Sequence, residues 1–417
     1  MKYLISFIMI VAFIGCESST GDIEDNASET TNKTTLHYPP DNNFTFIPTN
    51  QSIAKPPYLG YIIDPEFNST VIRITDRENQ TGNTHLYPKT QSYNSDSSLL
   101  RLGYRLYHAD TFKETNITKA RLIDGQLSEI KWSTKKPNVF YGLNKKTEFH
   151  RFTKSTILPE NIDYKTLISF PKSTYEKLLL GKYEGNIDYH DRFVVFAARK
   201  VNERFLTAIV YDIENNNTIV TKDFPEINWE DDNGGQVLDW VSISPHGNYV
   251  LINWKDKPNN KKTYARSSIY QYDINLNFIR TLATQGQHGD IGVDSHDKEV
   301  YVQFEFGSEN GIWSYRLDDA NRTRLLPDKY NGGHVSCRNY KRKGWCYLST
   351  TAEGYREVFA LKLDASGTVN RFAQTHTIGM NSQGGVNPDG TKVLFFTNWG
   401  VDGDILDTYQ AQYNKEK

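Results

Sequence analysis

The sequence predicts an all-β propeller with seven four-stranded blades, and three observations carry that expectation. A strand–turn–strand unit recurs along the chain. Helical periodicity is scarce, its one fair candidate being the short segment from Ser173 to Leu180. Lone strands stand at both ends, so each end can complete the other's sheet.

The repeated unit is a short strand, a turn containing Asp, Asn, Gly or Pro, then a strongly apolar strand. Its clear copies are TQSYNSDSSLLRLGY (90–104), GNIDYHDRFVVFAAR (185–199), VSISPHGNYVLINW (241–254), IGVDSHDKEVYVQF (291–304), VSCRNYKRKGWCYLS (335–349) and GGVNPDGTKVLFFTN (384–398), with a weaker one at EIKWSTKKPNVFYGL (129–143). Their starts lie about 40 to 55 residues apart, the size of one blade. Each copy reads as strands A and B. Strands C and D fall between copies, as in LTAIVYDIENNNTIVTKD (206–223) and SSIYQYDINLNFIRTLA (267–283). YLGYIID (58–64) and VIRIT (71–75) precede the first full pair, and DTYQAQY (407–413) follows the last. Pairing of these end strands is expected to close the ring and leave few exposed edges. A β-solenoid is the rival architecture, but its repeats would be shorter.

The N-terminus reads as an export signal. Lys2 is followed by an apolar run of about a dozen residues (LISFIMIVAFIG, 4–15), too short to span a bilayer comfortably. Ile14-Gly15-Cys16 follows the lipobox pattern of bacterial lipoproteins, which implies cleavage after residue 15 and a lipid on Cys16; an ordinary signal peptide with an incidental cysteine is the alternative. Residues 16–50 are rich in Ser, Thr, Asn, Asp and Glu and are expected to be a disordered tether. Residues 51–417 then form the folded body. The expectation is a monomer held at the outer membrane by its lipid alone, facing the cell surface or the periplasm.

The composition excludes several classes. The formal net charge is −2, so no global field favours nucleic acid. Aromatics make up 13% of the chain, with 26 Tyr and 21 Phe. No G-x-S-x-G elbow, H-E-x-x-H motif, phosphate-binding loop or dinucleotide fingerprint is present, so no organic cofactor is expected. Cys337 and Cys346 flank the Lys341-Arg342 turn symmetrically, and in an oxidising compartment a cross-strand disulfide is the simplest pairing, with zinc ligation by one of them as the alternative.

In a propeller, residues just before strand A and just after strand B meet at one face. Those positions hold His85, Tyr87, Tyr183, Glu184, Arg199, Asp239, Trp254, His288, Asp290, His334, Gln383 and Trp399, and His108 follows the first B strand. Such a ring of polar and aromatic groups suits a polar substrate. Tyr87, Tyr189, Trp254 and Trp399 are candidates for stacking on sugar rings, with packing between blades as the alternative. His288, His334 and His376 come from the last three units and are candidate ligands for one divalent metal (zinc, calcium or manganese), with Asp290 or Gln383 nearby.

HLYPKTQSYNSDSSLLRL (85–102), HGDIGVD (288–294), GGHVSCRN (332–339) and GGVNPDGTKVLFFTNWG (384–400) resemble segments of the seven-bladed propeller polysaccharide lyases, the ulvan lyases first and the oligogalacturonate lyases more distantly. The likeness is one of pattern and spans most of residues 55 to 413. It implies a site of two early histidines, a tyrosine and an arginine, which fall here on His85, His108, Tyr183 and Arg199, with Tyr189 competing for the tyrosine role.

The resemblance implies β-elimination on a uronate-containing, ulvan-type sulfated polysaccharide. Arg199 would neutralise the carboxylate, His85 or His108 would take the C5 proton, and Tyr183 would protonate the leaving oxygen. Two alternatives stand beside it: a non-catalytic glycan-binding propeller, and a metal-dependent lyase of the oligogalacturonate type.

Overall fold

A computed structural model describes residues 47–413 apart from 51, 80–84, 104, 116–126, 145–146, 155–161, 231–236, 256–266, 285–287, 307–309, 328–331, 352–353, 380 and 402–405. The expected leader, Cys16 and most of the expected tether therefore lie outside the described residues. Every regular element among those described is a β-strand.

Two strands open the chain, β1 (Tyr61–Ile63) and β2 (Ser69–Arg73). The first repeat places Tyr93 opposite Leu100 of β3 (Leu99–Leu102), and β4 (Arg105–His108) follows that repeat. The next sheet holds β5 (Leu127–Trp132), β6 (Val139–Asn144), β7 (Glu148–Lys154) and β8 (Ile162–Ser169). Then come β9 (Tyr175–Leu180), β10 (Phe193–Lys200), β11 (Phe205–Asp212) and β12 (Asn217–Asn228). A fourth sheet is β13 (Leu238–Ile243), β14 (Tyr249–Lys255), β15 (Ser267–Asp273) and β16 (Phe278–Ala283). A fifth is β17 (Asp290–Val293), β18 (Glu299–Glu305), β19 (Gly311–Arg316) and β20 (Arg322–Pro327). A sixth is β21 (Gly333–Ser336), β22 (Trp345–Thr350), β23 (Glu357–Lys362) and β24 (Val369–Gln374). The last strands are β25 (Gly385–Val386), β26 (Lys392–Thr397) and β27 (Asp407–Tyr413). All pairings are antiparallel between neighbours, giving a propeller-like array of seven sheets among the described residues.

Each of the seven expected A–B pairs is a pairing in the fold, as a single bridge at Tyr93–Leu100 and at Ile187–Val194, and five of the seven turns share one chemistry. Asn94, Asp188, Ser244 and Asn387 each accept, through the side chain, the backbone N–H five residues on, at 2.8, 2.9, 2.9 and 2.9 Å. Asp294 does the same for Lys298, four residues on, at 2.9 Å. The residue three after each of these five bonds back to its carbonyl and has positive φ: Ser97, Asp191, Gly247, Asp297 and Gly390. Short polar side chains and glycine are the residues that tolerate this left-handed position, which is why they punctuate the repeat.

Apolar clusters lie between consecutive sheets. Leu99, Leu106, Ile130, Trp132 and Phe140 join β3–β4 to β5 and β6. Ile74, Tyr93, Leu100 and Leu102 pack with Leu394 of β26, joining the same pair to the last sheet. Burial of each such side chain contributes roughly 1.5–3 kcal/mol.

The last sheet has five strands in the order β1-β2-β27-β26-β25, so the two ends of the chain share it. Val71 of β2 pairs with Ala411 of β27. Asp407, buried at the start of β27, takes Arg73 Nε at 3.0 Å, Lys55 Nζ at 3.0 Å and the Arg77 N–H at 2.8 Å.

Two expectations are corrected. The helix candidate from Ser173 to Leu180 is the strand β9: Leu178 and Leu180 are buried on alternate positions, and the segment pairs with β10. Residues 47–50, the expected end of the tether, are pinned to the body, with Ile47 N donating to Glu357 Oε1 at 3.2 Å and Asn50 N to Gln374 Oε1 at 3.0 Å.

Candidate functional site

A cavity of about 340 Å³ opens between the segment 85–90, β3, β5 and the turn at 181–185; its wall includes His85, Tyr87, Thr90, Arg101, Glu129, Lys131 and Tyr183. The turn is built by backbone conformation. Ile187 bridges Val194 and Leu180 pairs with Phe196, so both lie along β10 and residues 181–186 bulge out between them. Gly181, Lys182 and Tyr183 follow one another with φ of 58°, 56° and 76°. Gly181 is required: a Cβ there would sit 1.9 Å from the Val241 carbonyl oxygen. Left-handed residues persist only where the surroundings fix them. Here Lys182 donates to the Leu238 carbonyl, Lys131 to the Tyr183 carbonyl at 3.1 Å, and Lys89 to Glu184 at 2.7 Å. Lys89 also lies 4.0 Å above the Trp240 ring. Tyr183 is left 62% exposed at the rim.

Tyr87 joins this wall to a histidine pair. Its hydroxyl lies 3.1 Å from His288 Nδ1, and its ring meets His334 edge-on at 5.1 Å between centroids. The His288 and His334 rings are 4.4 Å apart. Burial, with the carboxylates of Glu184, Asp239 and Asp290, pushes the Tyr87 phenol well above its ordinary value, so it stays protonated. Burial lowers His334 to about 3, helped by His288, and lowers His85 to about 4. Both imidazoles are therefore neutral near pH 7. His85 Nε2 lies 2.5 Å from the Gln383 carbonyl oxygen. The Nδ1 atoms of His85 and His334 are buried with no hydrogen-bond partner.

Beyond Lys131 a second, much smaller space of about 20 Å³ is lined by Trp132, Tyr189, Arg338 and Tyr340. Arg338 is buried and held by Asp290, Nε to Oδ2 at 2.9 Å and Nη2 to Oδ1 at 3.0 Å.

Of the residues expected in a catalytic set, the structure brings His85 and Tyr183 to one cavity wall and places the other two elsewhere. His108 is exposed at the end of β4, opposite Leu99, and is not part of the wall. Arg199 lies on β10 opposite Lys177 and donates to Glu176 at 2.9 Å, toward the end of the strand away from the Tyr183 bulge. Among the expected sugar-stacking residues, Tyr87 lines the cavity. Tyr189 lines the smaller space, donating to the Cys337 carbonyl at 2.8 Å. Trp254 packs on Tyr270 at 5.4 Å. Trp399 is buried against Tyr409 at 4.9 Å and His376 at 4.5 Å.

The expected metal trio is not assembled. His288 and His334 are neighbours, whereas His376 is buried against Trp399. Among the described residues no three His, Cys, Asp or Glu side chains are grouped to hold a metal. Cys337 and Cys346 form a disulfide, with Cα atoms 4.5 Å apart.

Arg101, Glu129 and Lys131 were not singled out from the sequence. The signal was present in the weakest repeat, where charged Glu129 and Lys131 alternate with Ile130 and Trp132 along one short strand.

No family model matches the sequence, and a search of curated proteins finds no match. Solved structures do match. An oligogalacturonate lyase in complex with manganese is similar with a TM-score of 0.57 and 13% identity, over 86% of this chain and 96% of that one. An oligogalacturonate lyase from Vibrio parahaemolyticus gives 0.55 and 12%, over 84% and 96%. At such identities the likeness speaks for the fold.

Proposed function

We propose that this protein is a polysaccharide lyase that cleaves uronate-containing glycans by β-elimination, with oligogalacturonate-type substrates ahead of ulvan-type ones. The observation that carries it is the contact of Tyr87, on the wall of a cavity supplied with cations, with His288 at 3.1 Å. Two supports add to it: the fold shared with oligogalacturonate lyases, and the Arg101 and Lys131 side chains on the wall, which take over the role expected of Arg199.

Elimination needs three services from the chain. The carboxylate beside C5 must be neutralised, so that it can take up the C5–H electron pair before that pair forms the C4–C5 double bond; Lys131 and Arg101 supply positive charge there. A base must take the proton, and a neutral imidazole does so best near its own pKa; burial lowers His288 as well, but it holds His85 at about 4 and His334 at about 3, so His288 suits this best of the three. The C4–O bond then breaks, and the leaving oxygen takes a proton from the phenol of Tyr87 or of Tyr183.

A divalent cation is proposed only in part. His288 and His334 are placed to share one, and the orphaned Nδ1 of His334 is a donor atom in search of a partner, but a third protein ligand is not grouped with them. A cation held by that pair would draw the carboxylate's charge. No step above depends on it.

The finer architecture belongs to the same proposal: seven blades in a ring, closed by β2 on β27, are supported by the shared last sheet and by the Leu394 cluster. Export on a lipid at Cys16 is proposed from the N-terminal residues alone. The test is product analysis by mass spectrometry after incubation with polygalacturonate oligomers, ulvan, alginate and glycosaminoglycans in parallel. Unsaturated uronate ends support elimination. Saturated ends, or intact substrate with every glycan, oppose it.

A further inference from the structure

We infer that Glu129 and Lys131 form a recognition subsite for a single hexuronate ring, Lys131 binding its carboxylate and Glu129 one of its hydroxyls. The inference rests on the acidic-glycan reading of the cavity and adds a chemical specificity to it. The two residues are two apart on β5, so their side chains leave the strand on one face, and both line the cavity wall. Glu129 and Lys131 are only 5% and 6% exposed.

Their unmet bonding capacity defines what they take. The Lys131 ammonium donates to Thr90 Oγ1 at 3.1 Å and to the Tyr183 carbonyl at 3.1 Å. It has three donors, so one remains for a ligand. Glu129 Oε1 accepts the Leu180 N–H at 2.9 Å, and Oε2 is buried with no hydrogen-bond partner. Leaving such an oxygen unbonded is costly, and a hydroxyl donor from a ligand in the cavity would satisfy it. Stability alone does not account for the pair, because apolar residues of similar volume usually serve a buried position as well or better. An ammonium and a carboxylate side by side match a sugar bearing a carboxylate and a free hydroxyl. They disfavour a methyl ester at the first position, which removes the charge, and a sulfate at the second, which repels Glu129.

The test uses the methyl glycoside of galacturonic acid and its methyl ester as probes. Neither carries a glycosyl leaving group at C4, so binding is read without turnover, by titration calorimetry or saturation-transfer NMR. Wild type is expected to prefer the acid by about tenfold, as a charge-assisted contact provides. Lys131→Met should abolish that preference, and Glu129→Gln should weaken both probes while keeping it. Should Lys131→Met fail to fold, Thr90→Val removes one anchor of the ammonium and is expected to cut the preference by about threefold. No preference in wild type, or an unchanged preference in the folded Lys131→Met or Thr90→Val protein, overturns the inference. An acid preference without unsaturated product from any glycan defeats the lyase reading and leaves the subsite standing.

Discussion

The Tyr87 hydroxyl lies 3.1 Å from Nδ1 of His288, although 201 residues separate them in the chain. The fold thus brings a phenol on the cavity wall, kept protonated by burial, against an exposed imidazole. That pair is the centre of the functional proposal.

Tyr87→Phe keeps the ring that packs on His334 and removes only the hydroxyl. Turnover on the cleaved glycan is expected to fall about a hundredfold with KM little changed, in line with the loss of one acid–base group. His288→Ala should cost a similar factor. The double variant should be little worse than either single one if the two act as a unit, and steady-state kinetics of the three proteins checks this.

Asp407→Ala removes the carboxylate that holds Arg73, Lys55 and the Arg77 backbone where the first and last strands meet. A loss of about 1.5–3 kcal/mol is expected, because the largely buried Arg73 loses one of its two carboxylates and keeps only Asp76. Urea unfolding with tryptophan fluorescence measures it.

The fold was legible in the residues at the level of hairpins and much less so at the level of the site. Alternation and polar turns located the A–B pairs, and at Asn94, Asp188, Ser244 and Asn387 one turn chemistry repeats that depends only on neighbours in sequence. The segment at 173–180 misled because its apolar spacing fits a helix as well as a strand, and only pairing with β10 decides between them. The site depends on which strand ends meet in space. Arg199 and Tyr183 belong to one hairpin, yet the bulge at 181–186 projects Tyr183 near Val194 and leaves Arg199 beside Glu176. His376 and Trp399, both expected near the site, stack on each other in the core instead.

Acid should destabilise the fold through its buried histidines. His85 and His376 titrate at about 4 and His334 at about 3 in the folded chain, against about 6.5 unfolded. The unfolded state therefore binds more protons below pH 6.5, so stability is fully present above that value and is lost as pH falls toward 4. Each group contributes on the order of 3 kcal/mol at pH 4. The melting temperature should drop steeply between pH 6.5 and 4, and His376→Gln should flatten that slope.

The Cys337–Cys346 disulfide closes a loop of sequence separation 9. Replacing both cysteines by serine is expected to cost about 2–3 kcal/mol by loop entropy. Thermal melts with and without reductant should show the same shift in wild type as the double variant shows without it.

The most direct test is the ultraviolet absorbance of the purified protein incubated with polygalacturonate oligomers, with added divalent cation in one arm and chelator in the other. Elimination leaves a C4–C5 double bond conjugated to the carboxylate, which absorbs where the substrate does not. The proposal predicts a steady rise with wild type and almost none with Tyr87→Phe. No rise with any acidic glycan from folded wild-type protein supplied with divalent cation contradicts it and leaves a glycan-binding propeller as the better account.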